Sequence, residues 1–209
     1  MIISFIGMSG MGKSYWSQKL TQHGFHHLCI DDMIEDQLKP KLKKLGYTGI
    51  KGVAKWMGEP YQSQFKRKEQ EYLDLEKQSM LSALKYIINN QNQDIVLDTT
   101  GSVIYLEQSI TDQLKQTTTV INFQTPQTVL NHMFQQYIQE PKPVIWRNSY
   151  QPQKNKSHMD TLKSCYPQLL KFRNKRYQDH ANITLNYHQI RHPQFSTTKL
   201  LKLIQTATQ

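Results

Sequence analysis

Cysteine is scarce in this 209-residue chain: there are two, Cys29 and Cys165. One falls in a strand-like run and one in a helical run. Neither a disulfide framework nor a metal-ligand spacing can be built from them. Long apolar runs are also missing. Nothing approaches the roughly 18 consecutive apolar residues of a membrane span. The opening MIISFI is short, has no basic region before it and no small-residue cleavage site after it, and does not read as a signal peptide. Acidic residues are few, 16 against 26 Lys and Arg, for a formal charge of +10. That imbalance points to a polyanionic partner, either nucleotide phosphates or nucleic acid. The lysines are scattered and no aromatic-rich RNA-binding signature accompanies them, which ranks nucleotide phosphates ahead of nucleic acid. The histidines lack metal-binding spacing, and His26 and His27, beside a strand-like run, read as packing or surface residues. No internal repeat is present. The expectation is a soluble, cytoplasmic monomer with no membrane partner, residues 1–209 forming one domain.

What the chain does have is alternation. IISFI (2–6) reads as a buried strand, and 13–22 as a helix. HHLCI (26–30) is a weaker strand, and a helix over 32–39 stops near Pro40. Residues 41–60, rich in Gly and Lys, read as irregular or broken helix. A long helical pattern covers 62–89. DIVLD (94–98) and TTTVINF (117–123) are strands, and 126–139 a helix with Pro126 near its start. Residues 140–157 hold three prolines, several amides and scattered positive charge, and read as a mobile lid. A helix over 160–181, a short strand ITL (183–185) and a closing helix over 196–207 complete the chain. Helices between successive strands predict an α/β fold with a mainly parallel sheet.

Behind the first strand stands GMSGMGKS, which satisfies G-x-x-x-x-G-K-[ST] with Gly7, Gly12, Lys13 and Ser14 in the fixed places. Such a loop curls its backbone N–H groups onto phosphate oxygens, and the following helix adds its positive end. The expected cradle for the phosphates of ATP is Gly7, Ser9, Gly10, Met11, Gly12, Lys13, Ser14 and Tyr15. Lys13 is expected on the β- and γ-phosphates and the Ser14 hydroxyl on Mg²⁺. No guanine-reading N-K-x-D motif is present, so ATP is favoured over GTP. Two acidic strand ends join this loop. Asp98 closes VLD (96–98) and is a candidate for Mg²⁺, directly or through water, or for a helix cap. Asp31 in IDDMIE (30–35) is a candidate to bind and polarise an acceptor hydroxyl, with Asp32 as a helix cap.

With these elements placed, the chain resembles the shikimate kinase family from Met1 to about Leu185. IGMSGMGKS resembles the opening of those kinases. GFHHLCIDDMIE resembles G-F-x-x-x-D-x-D-x-x-I-E, with the first acid replaced by Cys29 and the second falling on Asp31. GEPYQSQFKRKE (58–69) resembles G-E-x-x-F-R-x-x-E with an insertion. Phe65 and Glu69 match, and the arginine position falls on Lys66 beside Arg67. Thr100, Gly101 and Ser102 stand where the family has T-G-G-G. KPVI (142–145) resembles the lid motif R-P-L-L, with Lys142 for arginine and Arg147, Lys154 and Lys156 as candidate phosphate-reaching cations. In YPQLLKFRNKRYQDHA (166–181), Arg173, Tyr177 and Ala181 keep the register of a family helix ending R-x-P-L-Y-x-x-x-A.

The resemblance implies a three-layer P-loop kinase fold with a five-stranded sheet, a helical substrate-binding region near 32–62 and a lid over 140–157. It implies Lys13, Asp31 and Arg147 as catalytic groups, with Asp31 as base. It implies an acceptor site of Asp31, Lys66, Arg67, Thr100, Gly101, Ser102 and Arg173; Mg²⁺ at Ser14 and Asp98 rests on the phosphate loop and the acidic strand end, since Asp98 has no strict counterpart in the family pattern. The implied reaction is ATP-dependent phosphorylation of a small polyhydroxylated acid, shikimate to shikimate 3-phosphate. Two alternatives stand beside it: another acceptor (gluconate, a nucleotide or a polynucleotide 5′-hydroxyl), or a nucleotide-binding protein without transfer activity. The departures at Cys29, Lys66, Thr100 and Ser102 all fall on substrate-facing positions, which is where a change of acceptor would be written.

Overall fold

The computed structural model describes residues 1–207. Five strands form one sheet: β1 (Ile2–Gly7), β2 (His26–Cys29), β3 (Ile95–Asp98), β4 (Thr119–Phe123) and β5 (Ile183–Leu185). Every pairing is parallel and the order is β2-β3-β1-β4-β5. The chain is an α/β protein, as the alternation implied. β1 lies at the centre, where Ile3, Phe5 and Ile6 are buried and a near-continuous apolar strand is required because helices cover both faces. Parallel pairing also puts the strands' carboxyl ends on one edge. Phe5 and Cys29 both pair with Asp98, and Gly7 pairs with Phe123. The phosphate-loop glycines, Cys29 and Asp98 therefore meet at that edge, where open α/β sheets take their ligands.

The helices are α1 (Lys13–Thr21), α2 (Ile30–Lys44), α3 (Gly49–Met57), α4 (Phe65–Asn89), α5 (Gln108–Thr117), α6 (Leu130–Gln139), α7 (His158–His180), the short α8 (Tyr187–Ile190) and α9 (Thr197–Ala207). The expected stop at Pro40 is overturned: α2 runs through it for another turn. Leu38 and Leu42 are both buried, acids fill the first turn and Lys41, Lys43 and Lys44 the last. Packing and the favourable charge distribution along the helix outweigh the one backbone hydrogen bond that proline removes. The Gly/Lys-rich stretch is more regular than expected. It contains α3, whose buried Val53, Trp56 and Met57 fix it against the body. The expected helix at 126–139 begins as a single tight turn at 127–129, and α6 follows.

α4 sets the phase of the site. Phe65, Glu69, Tyr72, Leu73, Glu76, Met80, Leu84 and Ile87 are buried along it. Glu69, Tyr72 and Glu76, with the small Ser79, thus put polar groups on the inward stripe of a helix that is otherwise apolar there.

Candidate active site

Gly7, Gly10 and Gly12 all carry positive φ where β1 turns into α1. At Gly7 (φ 135) a Cβ would lie 2.9 Å from the Phe123 carbonyl oxygen, so β4 approaches too closely for any side chain. Gly12 (φ 106) turns the chain into α1. That helix starts with no side-chain cap and no acid in its first turn, leaving its N–H groups for an anion. Lys13 is buried and donates to the carbonyls of Gly7 (3.0 Å) and Met8 (3.3 Å). Burial lowers its proton affinity, and Asp98 and Asp31 pull it back up. Ser9, Gly10, Met11, Gly12, Ser14 and Tyr15 line the cleft beside it, while Gly7 does not and packs against Phe123 of β4 instead.

The cleft is about 820 Å³ and runs from this loop to α7. Asp31, in the first turn of α2, faces into it and accepts a hydrogen bond from the Tyr72 hydroxyl at 3.2 Å. Burial raises the Asp31 pKa, with Lys13 opposing. Gly101 and Ser102 form part of the wall; Thr100 does not. The Thr100 and Ser102 hydroxyls both donate to the buried Glu76 carboxylate, Ser102 at 2.6 Å. Burial holds the Glu76 pKa up at about 7. The turn after β3 is therefore pinned from below by α4.

Arg173 enters from α7, 4% exposed, and lines the same cleft. It donates to the Ile145 carbonyl and, at 3.4 Å, to the Tyr105 hydroxyl. Tyr177, one turn further on, donates to the Gly101 carbonyl, tying α7 to the turn after β3. Among the described residues no carboxylate lies within ion-pair distance of Arg173.

Thr100 and Asp98 are buried and do not line the cleft, and three expected cations are not brought to it either. Lys66 and Arg67 are exposed on the outward face of α4, and Arg67 pairs with Glu71 at 3.7 Å. The helical phase that buries Phe65 and Glu69 forces both positions outward. Arg147 is also exposed, at φ 49, with its guanidinium on Gln70 at 3.2 Å. The cause is Glu69, whose carboxylate accepts the Trp146 (2.6 Å) and Arg147 (2.8 Å) N–H groups and rotates the arginine away. In the 140–157 segment the cation that does line the cleft is Lys142. Trp56 and Trp146 are both buried packing residues.

Other cleft residues escaped the sequence. Tyr72 lies on the buried stripe of α4, which could have found it. Arg191, after α8, donates to the Gly10 carbonyl at 2.9 Å and stacks on Tyr187 at 4.5 Å. Pro193 and Phe195 follow it into the cleft, and Phe195 packs edge-on against Trp16. No motif marks this segment. It builds an apolar and cationic wall beside the loop between β1 and α1.

No family model matches the sequence, and no curated protein matches it. Solved structures do. A shikimate kinase from Bacteroides thetaiotaomicron superimposes with a TM-score of 0.58 at 14% identity, covering 100% of this chain and 99% of that one. The shikimate kinase of Aquifex aeolicus gives 0.55 at 15%, covering 100% and 96%. The chain has the shikimate kinase fold. A third shikimate kinase, from Acinetobacter baumannii and solved with shikimate bound, gives 0.54 at 20%, covering 98% and 92%. At such low identity the similarity is one of fold, and it extends over residues 32–62 and 140–157 as well. No described helix is long and apolar enough to cross a membrane.

Proposed function

We propose that the protein transfers the γ-phosphoryl group of ATP to a hydroxyl of a small acid, with shikimate as the first acceptor to test. The observation that carries this reading is Arg173: a buried guanidinium with no carboxylate within ion-pair distance among the described residues, facing the same cleft as Lys13 and Asp31. A buried charge normally has its counter-ion. A carboxylate-bearing acceptor would provide one and would set its hydroxyls towards Asp31.

In this reading Asp31 takes the proton of the acceptor hydroxyl. The freed oxygen forms a bond to the γ-phosphorus, the bond from that phosphorus to the bridging oxygen breaks, and ADP leaves with the bond's electron pair. Lys13 exchanges its two loop carbonyls for phosphate oxygens, and Lys142 supplies positive charge from the lid side. Tyr72 orients Asp31. Mg²⁺ takes oxygen donors, and the exposed Ser14 hydroxyl fits that chemistry; Asp98 would act on the ion through water, since one of its oxygens is buried facing His27. Bound there, the ion would offset phosphate charge during transfer.

A second acceptor is favoured by one observation. With Lys66 and Arg67 outside the cleft, an acceptor carboxylate would rest on Arg173 without them, so a 5′-hydroxyl oligonucleotide, which has no carboxylate, belongs in the same assay, with gluconate as a second carboxylate acceptor. The test is ADP release with ATP and Mg²⁺ against these acceptors, for the wild type and Asp31→Asn. Stimulation by shikimate that is lost in Asp31→Asn supports the reading. ATP binding without stimulation by any acceptor would sink it.

A further inference from the structure

At the carboxyl ends of β2 and β3 three side chains of different chemistry converge. His27 and Cys29 are two apart on β2 and point to one side of the strand. Parallel register sets Cys29 against Asp98 on β3. One donor atom from each, an imidazole nitrogen, the thiol sulfur and a carboxylate oxygen, lie within 4.8 Å of one another. His27 Nε2 and Asp98 Oδ2 stand 4.0 Å apart, too far for a hydrogen bond. Both atoms are sealed from solvent and have no hydrogen-bond partner among the described residues. Asp98 is only 3% exposed, so its unpaired oxygen is a cost that folding alone does not explain.

We propose that His27, Cys29 and Asp98 form a binding site for a thiophilic divalent cation of the zinc type. One ion would satisfy both orphaned atoms together. Donors held about 2.0–2.3 Å from a tetrahedral zinc sit about 3.5 Å from each other, so the observed spacing needs only small side-chain rotations. The donor set of one nitrogen, one sulfur and one oxygen suits zinc and disfavours Mg²⁺, which takes oxygen and keeps its waters. His27 and Cys29 line the cleft, which gives the ion a route in and leaves its fourth position open to water or a ligand. Binding replaces the thiol proton: the sulfur–hydrogen bond breaks, the sulfur keeps the pair and bonds the metal, and one proton leaves. Asp98 is shared with the water-mediated contact to Mg²⁺ proposed above, whereas the Ser14 hydroxyl is not, and cation binding by His27, Cys29 and Asp98 does not depend on phosphoryl transfer.

The test uses the full chain, stripped with a chelator and titrated with Co²⁺ as a spectroscopic stand-in for Zn²⁺, then with Zn²⁺ in competition. The expected result is one equivalent bound, with tetrahedral d–d bands and a thiolate-to-cobalt charge-transfer band. Zn²⁺ should displace the cobalt, and excess Mg²⁺ should not. The charge-transfer band should vanish in Cys29→Ser and persist in Cys165→Ala. His27→Gln should weaken binding by at least the about 10- to 100-fold seen when outer partners of a metal site are lost. Circular dichroism confirms that each variant is folded. A saturated wild type without a thiolate band, a band that follows Cys165, or displacement by Mg²⁺ would each overturn the proposal.

Discussion

Replacing Glu76 with glutamine should flatten the pH dependence of folding stability. Glu76 is fully buried beneath the turn after β3, and burial raises its pKa from an ordinary 4.5 to about 7. The folded chain therefore binds this proton more tightly than the unfolded chain. The sign follows by linkage: the stabilisation is complete below pH 4.5 and is lost as pH rises through about 7. At about 1.4 kcal/mol for each tenfold change in proton affinity, the loss across that window is about 3 kcal/mol. Glutamine keeps the shape and one carbonyl acceptor for the Thr100 and Ser102 hydroxyls but carries no titrating proton. Urea denaturation of both proteins at intervals from pH 4.5 to 8 measures the difference, because other titrating groups cancel between them. The wild type should lose about 3 kcal/mol relative to the variant, most of it before pH 7. A difference that stays constant across this range would refute the reasoning, and with it the idea that α4 holds the turn through a buried, proton-sensitive carboxyl group.

Other outcomes follow from the same geometry. Arg173→Lys keeps the charge but loses the fork, and should raise the KM for a carboxylate acceptor by about 10- to 100-fold with little change in the KM for ATP, read from steady-state kinetics. Gly7→Ala meets the Phe123 carbonyl and should cost about 1–3 kcal/mol in denaturation while weakening ATP binding, measured by calorimetry. Glu69→Ala leaves the Trp146 and Arg147 N–H groups without their acceptor; it should destabilise the fold by at least about 2 kcal/mol and speed tryptic cleavage at Arg147, Lys154 or Lys156.

The strands were legible because each is a short apolar run ending in a turn, and the phosphate loop because its spacing and flanking elements agree. Arg173 was found at a distance because a helical motif keeps register. Lys66 and Arg67 were misplaced for a physical reason: a motif match fixes sequence alignment, whereas the stripe through Phe65, Glu69, Tyr72 and Glu76 fixes which way a helix faces. Arg147 was misplaced because a buried carboxylate 78 positions earlier, Glu69, captures its backbone. Such a long-range capture has no local signature. The same holds for His27, Cys29 and Asp98, which meet only when two strands far apart in the chain pair. Pro40 misled because the propensity of one residue was set against packing that only the tertiary fold reveals. Arg191 and Pro193 sit in a connection with no periodicity to read.

The strand order also has a consequence for biosynthesis. β1 carries the phosphate loop, yet both of its neighbours are made later, β3 starting at Ile95 and β4 at Thr119. At about 5–20 residues per second, a ribosome needs roughly 5–20 s to make the about 90 residues that separate β1 from its first partner. During that interval ISFI has two open edges and no sheet to join, the state in which an apolar strand recruits copies of itself. A nascent chain that stalls before Ile95 should therefore be a chaperone client or an aggregate, and the nucleotide cradle cannot be assembled until more than half of the sequence is complete.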